Sequence, residues 1–384
     1  KVEAMHKTTD IYGPIPYTRF GLETPVPYDS QEAVYMRFFA ELNHAVGVLT
    51  NFDRFNPNAK PLDKFDLIYG SDLKKWIRFA NSLKLRLAMR CRAVYDGAQK
   101  LAEEAVNNPY GVLEDNADNA VMQTVGALSF TYNNPFYNIY SPEGYNEDRM
   151  GATMDAYLNG FADPRLPKFF AKAKGDVYRG LRNGMRNGKD FQGDERLSMP
   201  TITRSTPYVW MTAAEVWLLR AEGALFGWNM GGTPEELYAH GVTTSFEQYG
   251  LADAAEAYLA STAKPSAYPG LGTSTAAEAP SDITPAWDES ATKEKKLERI
   301  ITQKWIAIYP LGQEAWSEYR RTGYPKLFPV VDNLSNGKVN TNVQVRRVPF
   351  PASEYSGNKQ EVEKAVQLLG GEDTGGTRLW WDKQ

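Results

Sequence analysis

Cysteine is almost missing from this chain of 384 residues. Cys91 stands alone, so there is no internal disulfide framework, and the redox compartment stays open because exported bacterial proteins often lack disulfides. Histidine is equally sparse: His6, His44 and His240 are scattered, and no paired Cys/His spacing suits zinc. Asp115 to Asn119 (DNADN) lacks the glycine and the distal glutamate of a calcium loop and reads as a solvated turn. No G-x-S-x-G and no phosphate-binding glycine loop occurs, so neither a nucleophile–base pair nor a cofactor is expected. A glycosidase needs only a pair of carboxylates, which 47 acidic residues leave available. No apolar run approaches the roughly 18 residues of a membrane-spanning helix. A net charge of -4 supplies no basic footprint for nucleic acid.

What is present is the composition of a globular protein, 42% hydrophobic and 12% aromatic. The length admits two ordinary domains, although helical-repeat proteins often run on as one body. Val34, Phe38, Leu42, Val46 and Leu49 recur at helical spacing over Gln31 to Leu49. After a loop over Thr50 to Gly70, Ser71 is the expected N-cap of a helix whose Trp76, Phe79, Leu83, Leu87, Cys91 and Val94 share one face. Lys74, Arg78, Arg86 and Arg90 are expected to face outward. The pair forms an αα-hairpin of the tetratricopeptide kind, continued by Leu101 to Asn107. A second unit spans Thr212 to Tyr249, with capping boxes at Thr212/Glu215 and Thr233/Glu236 and Pro234 at the first helical position. Ile300, Lys304, Ala307 and Ile308 continue the helical spacing, Pro310 and Gly312 break it, and Gly323 and Pro325 stop a short helix over Glu314 to Arg321. A last helix runs from Asn358 to Leu369. Strand signals are few: a short hairpin around Arg179 to Pro200 and an edge strand over Gln344 to Pro349. Helix should dominate.

Between the helical blocks lie irregular stretches, Asn108 to Asp148, Gly175 to Met211 and Ala263 to Asp288, of a length usually kept for function. Sugar binding needs flat apolar faces beside planar amides, carboxylates or guanidinium groups. Tyr132, Asn133, Asn134, Phe136, Tyr137, Tyr140, Tyr145 and Arg149 crowd such groups into one loop. Two readings stand there, a ligand face or a Tyr-rich loop lying on the core. Phe52, Arg54 and Phe55, and Tyr268 with Trp287, are weaker ligand candidates, with packing the favoured reading. Trp76, Trp217, Trp305, Trp316, Trp380 and Trp381 lie on apolar stripes and read as core anchors. Arg320 and Arg321 read as structural ion-pair partners at a helix end.

Several segments together resemble the SusD/RagB family of nutrient-binding lipoproteins found in Bacteroidetes-type bacteria. They are TDIYGPIPY from Thr9, DLIYG from Asp66, KWIRFANSLKLRLAMRCRAV from Lys75, and DPRL from Asp163. AEVWLLRAEGALFG from Ala214, ITQKWIAIYPLGQEAWSEYRRTGYP from Ile300, RRVPFPASEYSGN from Arg346 and RLWWD from Arg378 follow. The resemblance implies a mainly α, SusD-like fold across 1–384 as a single domain. Its tetratricopeptide-like scaffold would occupy 1–107 and 212–325, with loop-rich insertions at 108–211 and 263–290. It implies a cell-surface protein of polysaccharide utilisation that captures an oligosaccharide without catalysis and closes as a lid on a SusC-like TonB-dependent transporter. A peptide is the second ligand class, since both occur in the family. A glycan-cleaving enzyme and a repeat scaffold that binds only proteins remain as alternatives of other classes. The resemblance also implies a lipid anchor in the outer membrane, carried by a segment upstream of Lys1 that holds the lipidated cysteine and about one more helical hairpin. Cys91 does not fill that role. The family offers no fixed ligand motif to transfer.

Overall fold

The computed structural model describes residues 1–124 and 133–383. The first helices are α1 (Val2–Tyr12), α2 (Gln31–Phe55), α3 (Leu73–Arg90) and α4 (Ala98–Val106). Short helices α5 (Tyr137–Tyr140), α6 (Ala152–Gly160) and α7 (Leu166–Phe169) punctuate the loop-rich middle. The scaffold resumes with α8 (Ala213–Leu225), α9 (Pro234–Gln248), α10 (Ala255–Leu259), α11 (Lys293–Ala307) and α12 (Gly312–Thr322), and ends in α13 (Ala352–Gly357) and α14 (Lys359–Leu369). Contacts of α2 with α3 and of α8 with α9 give the expected helical hairpins, α3 touches α8, and α11 lies on α8 and α9. One core runs through them, with Phe38, Leu83, Leu87, Leu218, Val242 and Ile300 buried together.

Local chemistry explains the ends. Thr233 Oγ1 accepts the Glu236 N–H while Glu236 reaches back to the Thr233 N–H, a complete capping box. Thr212 caps α8 through the Glu215 N–H, but the Glu215 side chain is spent elsewhere. Gly323 ends α12 at φ +74, a left-handed position open to glycine without steric cost.

Several expectations are corrected. The residue capping α3 is Asp72, bonded to the N–H groups of Lys74 and Lys75. Ser71 instead has φ +64 and gives its N–H to Asp66, which also takes the N–H groups of Ile68 and Tyr69 and, at 2.6 Å, the Trp76 indole N–H. Asp66 therefore ties the DLIYG turn to the helix that follows. Helix α3 stops at Arg90, before Val94. Helix α2 runs on through Phe55, because in its last turns Asp53 points inward to accept the Tyr110 hydroxyl at 2.8 Å and the aromatic residues turn to solvent. The expected strands at 179–200 and 344–349 are absent among the described residues, replaced by isolated bridges such as Gly151–Leu181 and Phe170–Pro200. The antiparallel strands are β1 (Ala120–Met122) and β2 (Tyr208–Met211), drawn from stretches read as irregular.

The largest correction concerns Arg86 and Arg90, which are buried. Arg90 donates to Asp10 at 2.9 Å and Glu318 at 3.2 Å and also binds Glu314. Arg86 forks onto Glu215 with both bonds at 2.7 Å. Arg321 grips Glu222 at 2.6 and 2.7 Å, Lys304 meets Glu318, and Asp10 also takes the Tyr35 hydroxyl and the Trp381 indole N–H. Arg165 and Asp163 of the DPRL turn form a separate buried pair at 2.6 Å, with Gln303 on the same guanidinium. Buried charges need such complete pairing, since an isolated one costs several kcal/mol. Arg321 is thus the expected structural ion-pair partner, whereas Arg320 donates to the Asp10 and Arg346 carbonyls and to Ser317.

Candidate functional site

The segment from Asn133 to Arg149 is held as a wall rather than left as a free loop. Asn134 is buried with every polar group engaged: its backbone N–H goes to Arg204 O, its Nδ2 to Thr206 O, and its Oδ1 takes the Phe136 N–H. That clamp sets the start of α5. Arg204 lies over the Tyr137 ring at 5.0 Å, and Tyr137 meets Tyr140 edge-on at 5.9 Å. Arg149 braces the far end through Asn146 Oδ1 at 2.6 Å and the Asp148 carbonyl at 2.8 Å, and its Nε is without a partner. Burial holds the Arg149 guanidinium below its ordinary pKa, against the pull of Asp194 and Asp148.

This wall faces a cleft of about 640 Å3, within the roughly 300–1,000 Å3 typical of small-ligand sites. Phe136, Tyr140 and Arg149 line it. Tyr208 and Trp210 of β2 continue the same aromatic surface, with Tyr208 packed 5.7 Å from Phe136 and Trp210 backed by Phe79. Across from them stand Trp305 and Tyr309, from the end of α11 and the turn after it. Tyr309 is propped at 4.7 Å by Phe169 and at 5.2 Å by Phe170, and Trp305 by Tyr157. Most of these rings are half-buried: packed on one side, open on the other. Polar groups on the lining include Asp148, Asn183, Gln313 and Gln344, amides and a carboxylate of the kind that bond hydroxyls.

The buried pair Arg86 and Glu314 also contributes to the lining, joining the cleft to the ion network beneath it. Burial pushes the Glu314 carboxyl up, but Arg90 and Arg86 outweigh it and hold the group down at about 2. Glu314 is therefore ionised at any physiological pH. Among the described residues no cluster of three or more His, Cys, Asp or Glu side chains could hold a metal ion. No described helix is long and apolar enough to cross a membrane.

The other sequence candidates stand elsewhere. Tyr132 lies outside the described residues. Tyr137, and Tyr145 with its ring exposed, flank the cleft wall without lining the cavity, as does Asn133. Phe52, Arg54 and Phe55 sit on the last turns of α2, with Arg54 over the Phe55 ring at 4.6 Å. Tyr268 is only 3% exposed, its hydroxyl bonded to Ser274 and its ring against Phe328, so it supports the cleft from behind. Trp287 packs on Tyr238 and gives its indole N–H to Glu289. Sequence reading missed Tyr208, Trp210 and Tyr309, and assigned Trp305 wholly to the core. Tyr208 and Trp210 fall in a stretch read as irregular, Trp305 and Tyr309 follow a spacing typical of a core, and only the tertiary arrangement brings these residues together at the cavity.

The SusD-like family profile, described as Susd and RagB outer membrane lipoprotein, matches residues 1–382. Among solved structures, a chitin-binding SusD homolog from Flavobacterium johnsoniae is 44% identical with a TM-score of 0.92, the match covering 100% of this chain and 79% of that one. A susD homolog from Bacteroides thetaiotaomicron is 42% identical with a TM-score of 0.91 over 100% of this chain and 80% of the other. One from Bacteroides uniformis is 43% identical at 0.91 over 99% and 79%. No curated protein matches the chain.

Proposed function

The chain belongs to the SusD-like family of outer membrane lipoproteins, and from that premise we propose that it captures an oligosaccharide in the aromatic cleft and passes it on unaltered to a SusC-like TonB-dependent transporter. The observation that carries this reading is the set of half-buried rings, Phe136, Tyr208, Trp210, Trp305 and Tyr309, converging on one cavity beside amide groups. Sugar rings offer a C–H face to stack and hydroxyls to bond, and this lining supplies a match for both. A relative of 44% identity described as chitin-binding points the same way.

The electrostatics favour binding without turnover. Asp148 and Glu314 are the carboxylates on the described lining. Glycoside cleavage needs one carboxyl protonated near neutral pH to serve as general acid. Glu314, clamped by arginines, is the opposite of that, and Asp148 alone makes no pair. In this reading 1–107 and 212–325 form a rigid rack, 108–211 and 263–290 build the ligand face, and a lipid anchor at the outer-membrane surface lets the protein close over the transporter as a hinged lid.

Calorimetric titration of the purified chain with neutral oligosaccharides, alongside peptides, tests the proposal. Saturable glycan binding without release of reducing ends, weakened about tenfold by Phe136→Ala, is the expected result. Steady hydrolysis of the titrant, or binding confined to peptides, would overturn it.

A further inference from the structure

A second chamber, of about 410 Å3, opens beside the aromatic cleft and shares Asp148, Arg149, Met150, Gly151 and Asn183 with it. The two cavities therefore adjoin along these residues. Their chemistry differs: the cleft is walled by aromatic rings, whereas the chamber is lined by Arg149, Arg182 and Lys189 and has Phe191 as its aromatic residue.

Arg182 is the informative group. It is 7% exposed, and its fork reaches only neutral oxygens: the Thr275 carbonyl at 3.3 Å, Thr275 Oγ1 at 3.2 Å, the Ala276 carbonyl at 3.3 Å and the Pro329 carbonyl at 2.8 Å. Its Nε has no partner. Buried arginines elsewhere, Arg86, Arg90, Arg165, Arg321, Arg346 and Arg347, each meet a carboxylate. Arg182 does not. Arg220, Arg299 and Arg320 also lack one, but none of them lines this chamber. Arg149 has an unpartnered Nε as well, and its fork is braced by carbonyls and the Asn146 amide rather than by an acid. Lys189 stands exposed with no side-chain bond.

The opposing charges are weak at this place. Glu147 and Asp148 share the lining but are exposed, where water screens them, and nearby Asp194 is committed to Arg196 at 2.6 Å. A buried cation held only by carbonyl dipoles keeps its attraction for an anion, and that attraction is strongest where solvent is excluded. Guanidinium groups match the planar oxygens of carboxylates and the oxygens of sulfates alike.

We propose that this chamber receives a negatively charged substituent of the captured glycan, a uronate carboxylate or a sulfate ester, while the aromatic cleft holds the adjoining neutral sugars. The proposal rests on the glycan-capture reading and narrows it to acidic oligosaccharides. Arg149 joins the two compartments, Arg182 supplies buried charge, and Lys189 attracts the anion from the rim.

Matched titrations of the whole chain test it. One arm uses an oligogalacturonate and its methyl ester; another uses a carrageenan tetrasaccharide and its chemically desulfated counterpart; neutral chito- and xylo-oligosaccharides complete the panel. The expected result is tighter binding of an acidic member than of its neutral partner, with the favoured arm identifying carboxylate or sulfate. Lys189→Glu is expected to lower that acidic affinity about tenfold without changing neutral binding. Arg182→Gln is expected to remove the preference, with a thermal melt verifying its fold. Because Lys189 is exposed and unbonded, its variant keeps the test sound even if Arg182→Gln fails to fold. Binding of neutral glycans only, or an acidic preference untouched by Lys189→Glu, overturns the chamber assignment and leaves capture standing. Absence of binding across the whole panel overturns both.

Discussion

The helical rack and the loop-built wall treat the same residue type in opposite ways. Among the helices, Arg86, Arg90 and Arg321 are paired with Glu215, Asp10, Glu314, Glu318 and Glu222. In the wall, Arg149 and Arg182 are propped by carbonyls and keep donors unspent. Aromatic rings divide likewise: Tyr35 and Phe38 are wholly enclosed, whereas Phe136, Trp305 and Tyr309 are packed on one side only. Ion-paired groups hold the helices together; groups propped by neutral carbonyls keep capacity for a further partner.

Breaking the rack gives the largest expected effect. Arg90→Met takes a buried guanidinium away from three carboxylates, Asp10, Glu314 and Glu318, and is expected to cost about 3–5 kcal/mol, read as a large drop in Tm. A melt within a degree or two of wild type would mean that the network does not hold the fold. Acid should find the same weakness. Glu314 and Glu318 have folded-state pKa values pulled below the ordinary 4.5, where Arg90 and Arg86 in the one case and Arg321 and Lys304 in the other outweigh the upward push of burial. Their contribution is complete above pH 4.5 and is lost as pH falls toward about 2, the value of Glu314. Burial also lowers the His6 pKa below 6.5, so the unfolded chain takes up that proton first. The Tm is therefore expected to begin falling below pH 6.5 and to fall steeply below 4.5, and a Tm flat down to pH 3 would contradict the pairing.

Substitutions in the wall should separate binding from stability. Tyr140→Ala removes a ring on the cleft lining and is expected to weaken glycan binding about tenfold, while Tyr137→Ala, whose ring lies under Arg204, is expected to change it less than threefold. Equal losses in calorimetry would erase the distinction between lining and flank. The smallest effect is expected at Phe55, 71% exposed at the end of α2: Phe55→Ala should alter neither affinity nor stability by more than about 0.5 kcal/mol.

The same contrast explains what could be read from the residues alone. The capping box at Thr233 and the stop at Gly323 depend on neighbours within a turn and stand as expected, whereas at Thr212 only the hydroxyl half of the box forms because Glu215 is taken by Arg86. The burial of Arg86 and Arg90 depends on partners 129, 224 and 228 positions away, so a charge pattern that looked solvated was in fact internal. On the cleft lining, Phe136, Tyr140 and Arg149 were singled out in the sequence because aromatic and polar groups crowd one aperiodic stretch. Trp305 and Tyr309 were not, since they continue a helix whose spacing is that of a core. Tyr268 packs inward, in line with the favoured reading of it, because a bridge to Ala277 folds its loop onto the core.

Asp10 accepts hydrogen bonds from Tyr35, Arg90 and Trp381, so a residue near the start of the chain is completed by one near its end. A nascent polypeptide cannot finish this knot before Trp381 has been synthesised. Until then the early hairpins carry unmatched charge in what will become their interior.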